Sequence, residues 1–340
     1  MSGFDGLIGQ GKAVDLLERM LSSQRVPHAL IFQGPEGVGK STAARMFAAA
    51  LLCEEPSSPG CGGCSECTLV ARNSHPDVIT VRLLEKEKGP PGEFSKVITI
   101  EQIREVARLA GLAPRSGRRR VFVIDPADRM NSASQNALLK TLEEPPGDSV
   151  LLLVASRPHL LLPTVRSRCF GVAFSSLRTA DLGAILEKQG IALEQARARA
   201  ALSGGRPGVA LEIDLETLYE RREELIALLE SLASDRRAIA DLAAHAASLA
   251  GKDEPTLLDS LELLETLLRD AARAGGGDDR VLVHADLAPR LTRLGECLGP
   301  QRAAEIVTSV ERLRGYLRFN TNRTLIAESL LAAVAGGPIP

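Results

Sequence analysis

The chain has 340 residues, a length that predicts two or three domains. Hydrophobic residues make up 44% of it and aromatic residues only 3%, with no Trp, so aliphatic side chains must fill the interior. The formal net charge of -2 argues against an extended basic surface that wraps DNA by itself. It still allows one face to contact DNA within a larger assembly.

No targeting or membrane segment is predicted. The amino-terminal residues 1–10 have neither the basic region nor the apolar region of a signal peptide. No stretch of the sequence reaches the roughly 18 apolar residues that a membrane span requires. We therefore expect a cytoplasmic protein without membrane contact.

The first half of the chain alternates strand-like and helix-like segments. Short apolar runs predict strands at 29–33, 78–81, 121–124, 150–155 and 171–174. Helical composition lies at 42–53, 98–111 and 135–144, and Thr99 opens the second of these segments. Buried strands that alternate with helices predict an α/β fold with a mainly parallel sheet covered on both faces.

The strand pattern disappears after about residue 176. Residues 177–202 read as two or three short helices, closed by a glycine-rich turn at 203–208. From about residue 215 the apolar positions recur at three- and four-residue spacing, which is typical of helices. Breaks between these helices are expected near 234–235, 252–255, 275–277 and 299–300.

A phosphate-binding loop follows the first predicted strand. The pattern G-x-x-x-x-G-K-[ST] is matched at every fixed position by Gly34-Pro35-Glu36-Gly37-Val38-Gly39-Lys40-Ser41. Glycines let backbone N–H groups point at a phosphate, and the following helix adds the positive end of its dipole. Lys40 can reach the β- and γ-phosphates, and the Ser41 hydroxyl can ligate Mg²⁺. The motif predicts a site for ATP or ADP with Mg²⁺.

The third predicted strand ends at Asp125, which can hold the magnesium together with Ser41. In phosphate-loop proteins that hydrolyse their nucleotide, the next residue is usually a Glu that orients the attacking water. Here it is Pro126, which has no proton acceptor in its side chain. Asp128 lies three residues on from Asp125, but we expect its placement to be wrong for that role. The sequence therefore indicates nucleotide binding more strongly than hydrolysis.

Four of the six cysteines lie within fifteen residues, in the spacing C-x7-C-x2-C-x2-C, at Cys53, Cys61, Cys64 and Cys67. Thiolates at this spacing can grip one tetrahedral Zn²⁺, and four protein ligands would make the site structural. The alternative is a loop of unligated thiols. His75, nearby, is expected to be structural. Cys169 and Cys297 are isolated and are expected to be buried.

A run of arginines precedes the third predicted strand, at Arg115 and Arg118-Arg119-Arg120. It could contact DNA or a partner protein. We favour a solvated loop.

These features together resemble the bacterial clamp-loader branch of the AAA+ ATPases, which open a ring-shaped clamp and place it on DNA. Besides the phosphate loop and the four-cysteine knuckle, the resemblance is carried by Ile8-Gly9-Gln10, Pro27-His28-Ala29, His75-Pro76-Asp77-Val78, Asn136-Ala-Leu-Leu-Lys-Thr-Leu-Glu-Glu-Pro145 and Arg166-Ser167-Arg168-Cys169. It is strong over residues 1 to about 210. The helical remainder, including 320–322 and the segment 325–331, fits in length and character.

Two subunit types of this family fit the sequence. One is the motor subunit, gamma or tau, and the other is delta-prime, the rigid and often non-hydrolysing member. Pro126 departs from the Asp-Glu pair of the motor and favours delta-prime. The resemblance then implies a hetero-pentamer with gamma/tau and delta subunits, which acts on a sliding clamp and contacts primed DNA through the assembly.

The resemblance also implies roles for single residues. Arg168 would be an arginine finger that reaches the γ-phosphate bound by an adjacent subunit. Chemistry alone would favour an arginine that caps a loop, and the Ser-Arg-Cys context reverses that preference. Ser156 would lie near the sensor of the γ-phosphate, and Arg206 would reach it from the small helical domain. Gly9 and Gln10 would lie near the adenine.

The implied domains are an AAA+ phosphate-loop domain at 1–175 with the zinc knuckle at 53–67, a small helical lid domain at 176–214, and a helical collar domain for oligomerisation at 215–340. A small-molecule kinase with a zinc knuckle is disfavoured, because residues 215–340 suggest neither a substrate pocket nor a lid. A sequence-specific DNA-binding zinc protein is also disfavoured, because no basic cluster lies beside the knuckle.

Overall fold

The computed structural model describes residues 3–55, 58–85, 94–115, 119–234, 242–252, 254–277, 282–317 and 321–339. The chain divides into two compact units, Met1–Glu212 and Ile213–Pro340. Among the described helices, none combines the length and the apolar character needed to cross a membrane.

A five-stranded parallel sheet forms the centre of the first unit. Its strands are β1 Ala29–Gln33, β2 Val78–Val81, β3 Arg120–Ile124, β4 Ser149–Ala155 and β5 Phe170–Ala173. Their order across the sheet is β2-β3-β4-β1-β5, and every neighbouring pair is parallel. The prediction of an α/β fold with a parallel sheet is confirmed.

Nine α-helices are described in the first unit: α1 Gly11–Ser22, α2 Lys40–Leu52, α3 Ser65–Ala71, α4 Ile100–Ala110, α5 Ser132–Glu143, α6 Pro163–Arg166, α7 Thr179–Lys188, α8 Leu193–Leu202 and α9 Pro207–Glu212. The predicted N-cap at Thr99 is present. Its hydroxyl accepts from the backbone N–H of Gln102, whose side chain accepts from the backbone N–H of Thr99 at 3.0 Å, which makes a capping box. Four helices, α1, α3, α6 and α9, were not predicted from the sequence.

The sheet is covered on both faces, as the continuous apolar strands predict. Along β1, Leu30 and Phe32 point into a core shared with α1 and α2. The alternate residues Ala29 and Ile31 point into a second core shared with α4 and α5. This alternation is the two-residue period of a strand, and it explains why every residue of β3 and β4 is buried.

The second unit is helical in its described residues. It contains α10 Leu215–Ser234, α11 Leu242–Ala250, α12 Glu254–Gly275, α13 Ala288–Leu298, α14 Pro300–Tyr316 and α15 Arg323–Val334 around one core. Helices α12 and α13 approach closely at Gly295, where a Cβ atom would lie 2.0 Å from the carbonyl oxygen of Ala271. Asn322 caps α15, whereas Asn320, part of the predicted end motif, lies outside the described residues.

The arginine run before β3 differs from the expected solvated loop. Arg120 is the first residue of β3 and is buried. Its Nε and Nη2 atoms donate to Asp77 Oδ1 at 3.2 and 3.0 Å, and its Nη1 atom donates to the carbonyl oxygen of Leu109 at 2.7 Å. The prediction is wrong for Arg120, because a buried carboxylate and nearby carbonyl groups replace its hydration. Arg118 lies outside the described residues.

We expect Asp77→Ala to destabilise the edge of the sheet, because it leaves the Arg120 guanidinium buried and without its counter-charge. Breaking such a pair costs about 3–5 kcal/mol. Amide hydrogen exchange read at β2 and β3 should lose protection by more than about a hundredfold. Glu105→Ala, which removes the partner of Arg108 in an exposed ion pair, is the control and should leave these amides unchanged. Unchanged protection in Asp77→Ala would contradict the prediction.

Candidate functional site

Three predicted site residues meet at one edge of the sheet. Gly34 follows the end of β1, Asp125 follows β3 and Ser156 follows β4. The strands are in register there, since Gln33 pairs with Ala155 and Ile124 pairs with Leu153. Because the carboxyl ends of parallel strands share an edge, this edge is where an open α/β sheet binds ligands.

The phosphate loop has the backbone shape that its glycines permit. Gly37 and Gly39 adopt positive φ angles of 78° and 97°. A Cβ atom on Gly37 would lie 2.6 Å from Val209 Cγ2, so a larger residue would not fit beside helix α9. Gly39 is the N-cap of α2, and no side chain caps that helix end. The first N–H groups of α2 therefore open onto the loop.

Lys40 lies inside the loop and not in solvent. It is 5% exposed, and its Nζ atom donates to the carbonyl oxygen of Pro35 and to Ser156 Oγ, the latter at 3.0 Å. Burial lowers the pKa of Lys40, while the negative charges of Glu36, Asp125 and Asp128 oppose that shift. Lys40 and Ser156 therefore lie together at the site, while Ser41 is exposed in the first turn of α2.

The carboxylates at this edge have separate positions. Asp125 is half-buried directly after β3 and is followed by Pro126. Asp128 is buried, and its Oδ2 atom accepts from the backbone N–H of Arg157 at 3.1 Å. Its Oδ1 atom is buried and has no hydrogen-bond partner within the described residues. Asp128 is therefore bonded to the segment after β4.

The segment that leads into α9 lies on the phosphate loop. The backbone N–H of Gly208 donates to the carbonyl oxygen of Gly37 at 2.8 Å. A Cβ atom on Gly37 would be 3.6 Å from Arg206 Cβ, which places Arg206 beside the loop. The Arg206 Nε atom donates to the carbonyl oxygen of Ser203 at 2.7 Å.

The amino-terminal segment is bonded to the segment that follows β5. Gln10 is buried and bonds the Ser175 backbone twice, donating from Nε2 to the carbonyl oxygen at 2.8 Å and accepting at Oε1 from the N–H at 3.2 Å. Ile8 packs on the core of α7 and α8 together with Leu177. Gly9 lies between these contacts, with a positive φ of 70°.

Arg168 lies at the other edge of the sheet. It lies two positions before Phe170, the first residue of β5. Phe170 pairs with Leu30, whereas Ala173 pairs with Gln33 next to the phosphate loop. Three residues of strand, about 10 Å, separate these two registers. The Arg168 side chain is 36% exposed and forms an ion pair with Glu143, with Nη2 and Oε1 2.8 Å apart. The parallel sheet therefore separates Arg168 from the phosphate loop of its own chain.

The four clustered cysteines converge as the spacing predicts. Their Sγ atoms all lie within 4.8 Å of one another. Backbone N–H groups of Cys64 and Cys67 donate to the Sγ atoms of Cys61 and Cys64, each at 3.4 Å. Four convergent soft sulfur ligands can hold a metal ion and leave no position open for a reactant.

His75 connects this cluster to the sheet. It is buried, its Nε2 atom bonds Glu66 of α3, and its Nδ1 atom accepts from the backbone N–H of Asp77 at 3.0 Å. These contacts make it a structural link between α3 and the start of β2. Of the isolated cysteines, Cys169 is half-buried, and burial raises the pKa of its thiol to about 12. Cys297 is exposed, so the prediction that it is buried is wrong.

Sequence reasoning missed Gln135, which joins α5 to the segment before α6. Its Nε2 atom donates to the carbonyl oxygens of Met130 and Leu160 at 3.0 and 3.2 Å, and its Oε1 atom accepts from the Leu162 N–H at 2.6 Å. It also missed the pairing of Glu143 with Arg168. No signal in the sequence marks either role, because Gln and Glu are ordinary residues on exposed helix faces.

Comparisons with known proteins give a consistent relationship. A family model described as DNA polymerase III, delta subunit, matches residues 9–178, and a second, described as DNA polymerase III, delta subunit, C terminal, matches residues 216–335. The DNA polymerase III subunit delta' of Pseudomonas aeruginosa is 33% identical over 92% of this chain and 93% of its own length. That of Escherichia coli is 31% identical over 90% of this chain and 88% of its own length.

The subunit gamma/tau of Mycobacterium tuberculosis is also similar. It is 29% identical over 75% of this chain, which corresponds to 46% of its own length. The similarity to delta' extends over nearly the whole of both chains, whereas the similarity to gamma/tau covers less than half of that relative.

Proposed function

This chain belongs to the family of DNA polymerase III delta-prime subunits, and from that premise we propose that it works in the clamp loader, in ATP-dependent loading of a sliding clamp onto primed DNA. In this proposal it assembles with gamma/tau and delta subunits in a hetero-pentamer. Residues 1–175 form the AAA+ domain, 176–214 the lid and 215–340 the collar of the assembly. The sliding clamp and primed DNA are contacted through the assembly.

The position of Arg168 carries the proposal. The residue is partly exposed at the edge of the sheet opposite to its own phosphate loop. A guanidinium there cannot neutralise charge on a nucleotide bound by its own chain, but it can do so for a nucleotide on an adjoining subunit. Positive charge supplied in trans stabilises the charge that develops on the transferred phosphoryl group. We infer that Arg168 acts as an arginine finger.

The chain's own site is proposed to bind ATP or ADP with Mg²⁺. The loop Gly34–Ser41 and the α2 N-terminus would surround the phosphates, and Ser41 and Asp125 would hold the metal. Ser156 and Arg206, which lie at the loop, would contact the phosphates from either side. Because Pro126 offers no proton acceptor and Asp128 is bonded at Arg157, we expect little turnover there.

One observation keeps a gamma/tau-type motor as the second candidate. The phosphate loop matches its pattern at every fixed position and has the positive-φ glycines that the loop requires. A motor would hydrolyse the nucleotide that it binds. The two candidates therefore differ in the turnover of this chain's own site.

We expect Arg168→Ala to lower ATP turnover of the reconstituted loader at the one interface that this chain serves. An arginine finger contributes about 10³–10⁵ in rate at its site. The measurement is single-turnover hydrolysis with DNA and clamp present. One fraction of the bound ATP should be hydrolysed more slowly, while the oligomer still forms.

The matched control is Arg166→Ala, which removes the same charge from an exposed position two residues away. It should leave the single-turnover profile unchanged. An unchanged profile in Arg168→Ala, with the oligomer intact, would refute the role in trans.

Lys40→Ala separates the delta-prime type from the motor. We expect the isolated chain to lose affinity for ATP, because the loop loses the positive charge that reaches the phosphates, while clamp loading by the assembly falls only slightly. Equilibrium binding of a fluorescent ATP analogue and a clamp-loading assay measure the two effects. A motor would show brisk turnover by the wild-type chain and loss of clamp loading in Lys40→Ala.

We infer that the metal of the cysteine cluster is zinc, because four convergent cysteine thiolates are its usual structural ligands. We expect about one zinc per chain by elemental analysis. Cys64→Ser should lower this content and unfold the loop from Cys53 to Cys67, since structural zinc supplies about 10 kcal/mol or more of local folding free energy. Cys297→Ser, at an exposed and isolated cysteine, is the control. Full zinc content in Cys64→Ser would exclude the site.

A further inference from the structure

Arg168 does not extend freely into solvent. Its Nη1 atom donates to the carbonyl oxygen of Thr164 at 3.0 Å, and its Nη2 atom lies 2.8 Å from Glu143 Oε1. Nη1 also donates to Ser167 Oγ at 3.5 Å, and none of these contacts within the described residues uses the Nε–H group. Two hydrogen bonds from Nη1 and one ion pair at Nη2 therefore hold the terminal nitrogens of the guanidinium, and other donors of its five N–H groups remain available.

Thr164 and Glu143, which contact Nη1 and Nη2, are both attached to fixed parts of the first unit. Thr164 belongs to α6, and Glu143 is the last residue of α5. Buried Gln135 connects α5 to the segment that enters α6, with two donated hydrogen bonds and one accepted. The carbonyl oxygen of Leu142, next to Glu143, is bonded by His28 Nε2 at 3.1 Å. Because His28 directly precedes β1, the end of α5 is tied to the sheet.

We propose that Glu143 is a positioning residue for Arg168, holding its guanidinium in the orientation that an adjacent subunit's nucleotide requires. The inference rests on the proposed role of Arg168 in trans. A free arginine side chain loses rotamer entropy when it is ordered. Glu143 and the Thr164 carbonyl group limit that loss before the subunits meet, and so lower the barrier of the reaction at the neighbouring site.

The solvent exposure of Arg168 and Glu143 determines whether their ion pair helps or hinders the arginine in reaching a phosphate. Side chains that are 36% and 50% exposed form an ion pair of little net strength, so Glu143 cannot withhold Arg168 from a phosphate. The ion pair of Glu143 is with Nη2, which leaves the Nε–H group for an incoming phosphate oxygen. The pair therefore orients the arginine and does not compete for it.

The test uses the complete reconstituted loader with DNA and clamp, and compares Glu143→Ala, Glu143→Gln and Glu144→Ala. Glu144 is the matched control, since it is the adjacent exposed carboxylate and has no ion pair within the described residues. We expect Glu143→Ala to lower kcat at the interface served by this chain by about fivefold, with KM for ATP unchanged. Glu143→Gln keeps an oxygen acceptor and should recover part of the rate, and Glu144→Ala should match wild type.

The Arg168→Ala loader, measured in parallel, separates a failure of the role proposed for Glu143 from a failure of the role proposed for Arg168. If Arg168→Ala slows the site while Glu143→Ala leaves kcat unchanged or raises it, Glu143 is no positioning residue and the role of Arg168 stands. A change in KM alone would likewise overturn the inference. If Arg168→Ala itself has no effect, the proposed function in trans fails first. Size-exclusion chromatography of every variant loader confirms that the oligomer forms.

Discussion

The parallel direction of the five strands is the constraint on which the candidate sites depend. It brings the carboxyl ends of β1, β3 and β4 to one edge, where Gly34, Asp125 and Ser156 meet, and it puts the start of β5 at the opposite edge. An antiparallel strand would have reversed one of these ends. The same sheet thus keeps the phosphate loop and Arg168 apart. One unit could therefore bind a nucleotide at one edge of the sheet and present an arginine to another subunit's nucleotide at the other edge.

A parallel sheet buried on both faces leaves few positions for charge, and the charges that it buries are compensated locally. Arg120, at the start of β3, is neutralised by Asp77 next to β2, and Asp77 also accepts from the backbone N–H of Arg115 at 2.9 Å. His75, two residues before Asp77, bonds Glu66 of α3. The cysteine cluster is therefore connected to the sheet edge through a short series of polar contacts, and metal binding there would stabilise the entry to β2.

Local signals in the sequence were sufficient for the strands, the phosphate loop and the cysteine cluster, because each depends on residues close together in the chain. Hydrophobic runs placed all five strands to within one residue at each end. Four helices were missed, α1, α3, α6 and α9. Three of them are short, since α3 has seven residues, α6 four and α9 six. Ion pairs between residues far apart in the chain could not be predicted from the sequence. The ion pairs Arg120–Asp77 and Arg168–Glu143 join residues 43 and 25 positions apart, and only the fold decides that they meet.

A nucleotide site that does not hydrolyse ATP would still have a structural role. Helix α9 is attached to the phosphate loop by the bond from Gly208 N–H to the Gly37 carbonyl group, and Arg206 lies beside the same loop. A nucleotide held by the loop and by Arg206 would bridge these two parts of the first unit. At a concentration 100 times its dissociation constant, such a ligand stabilises the folded arrangement by about 2.7 kcal/mol, with no chemistry required. Because Pro126 removes the usual acceptor for the attacking water's proton, bound ATP would persist there. The nucleotide would then act as a fixed part of this subunit, while Arg168, in its proposed role, would respond to the nucleotide of another.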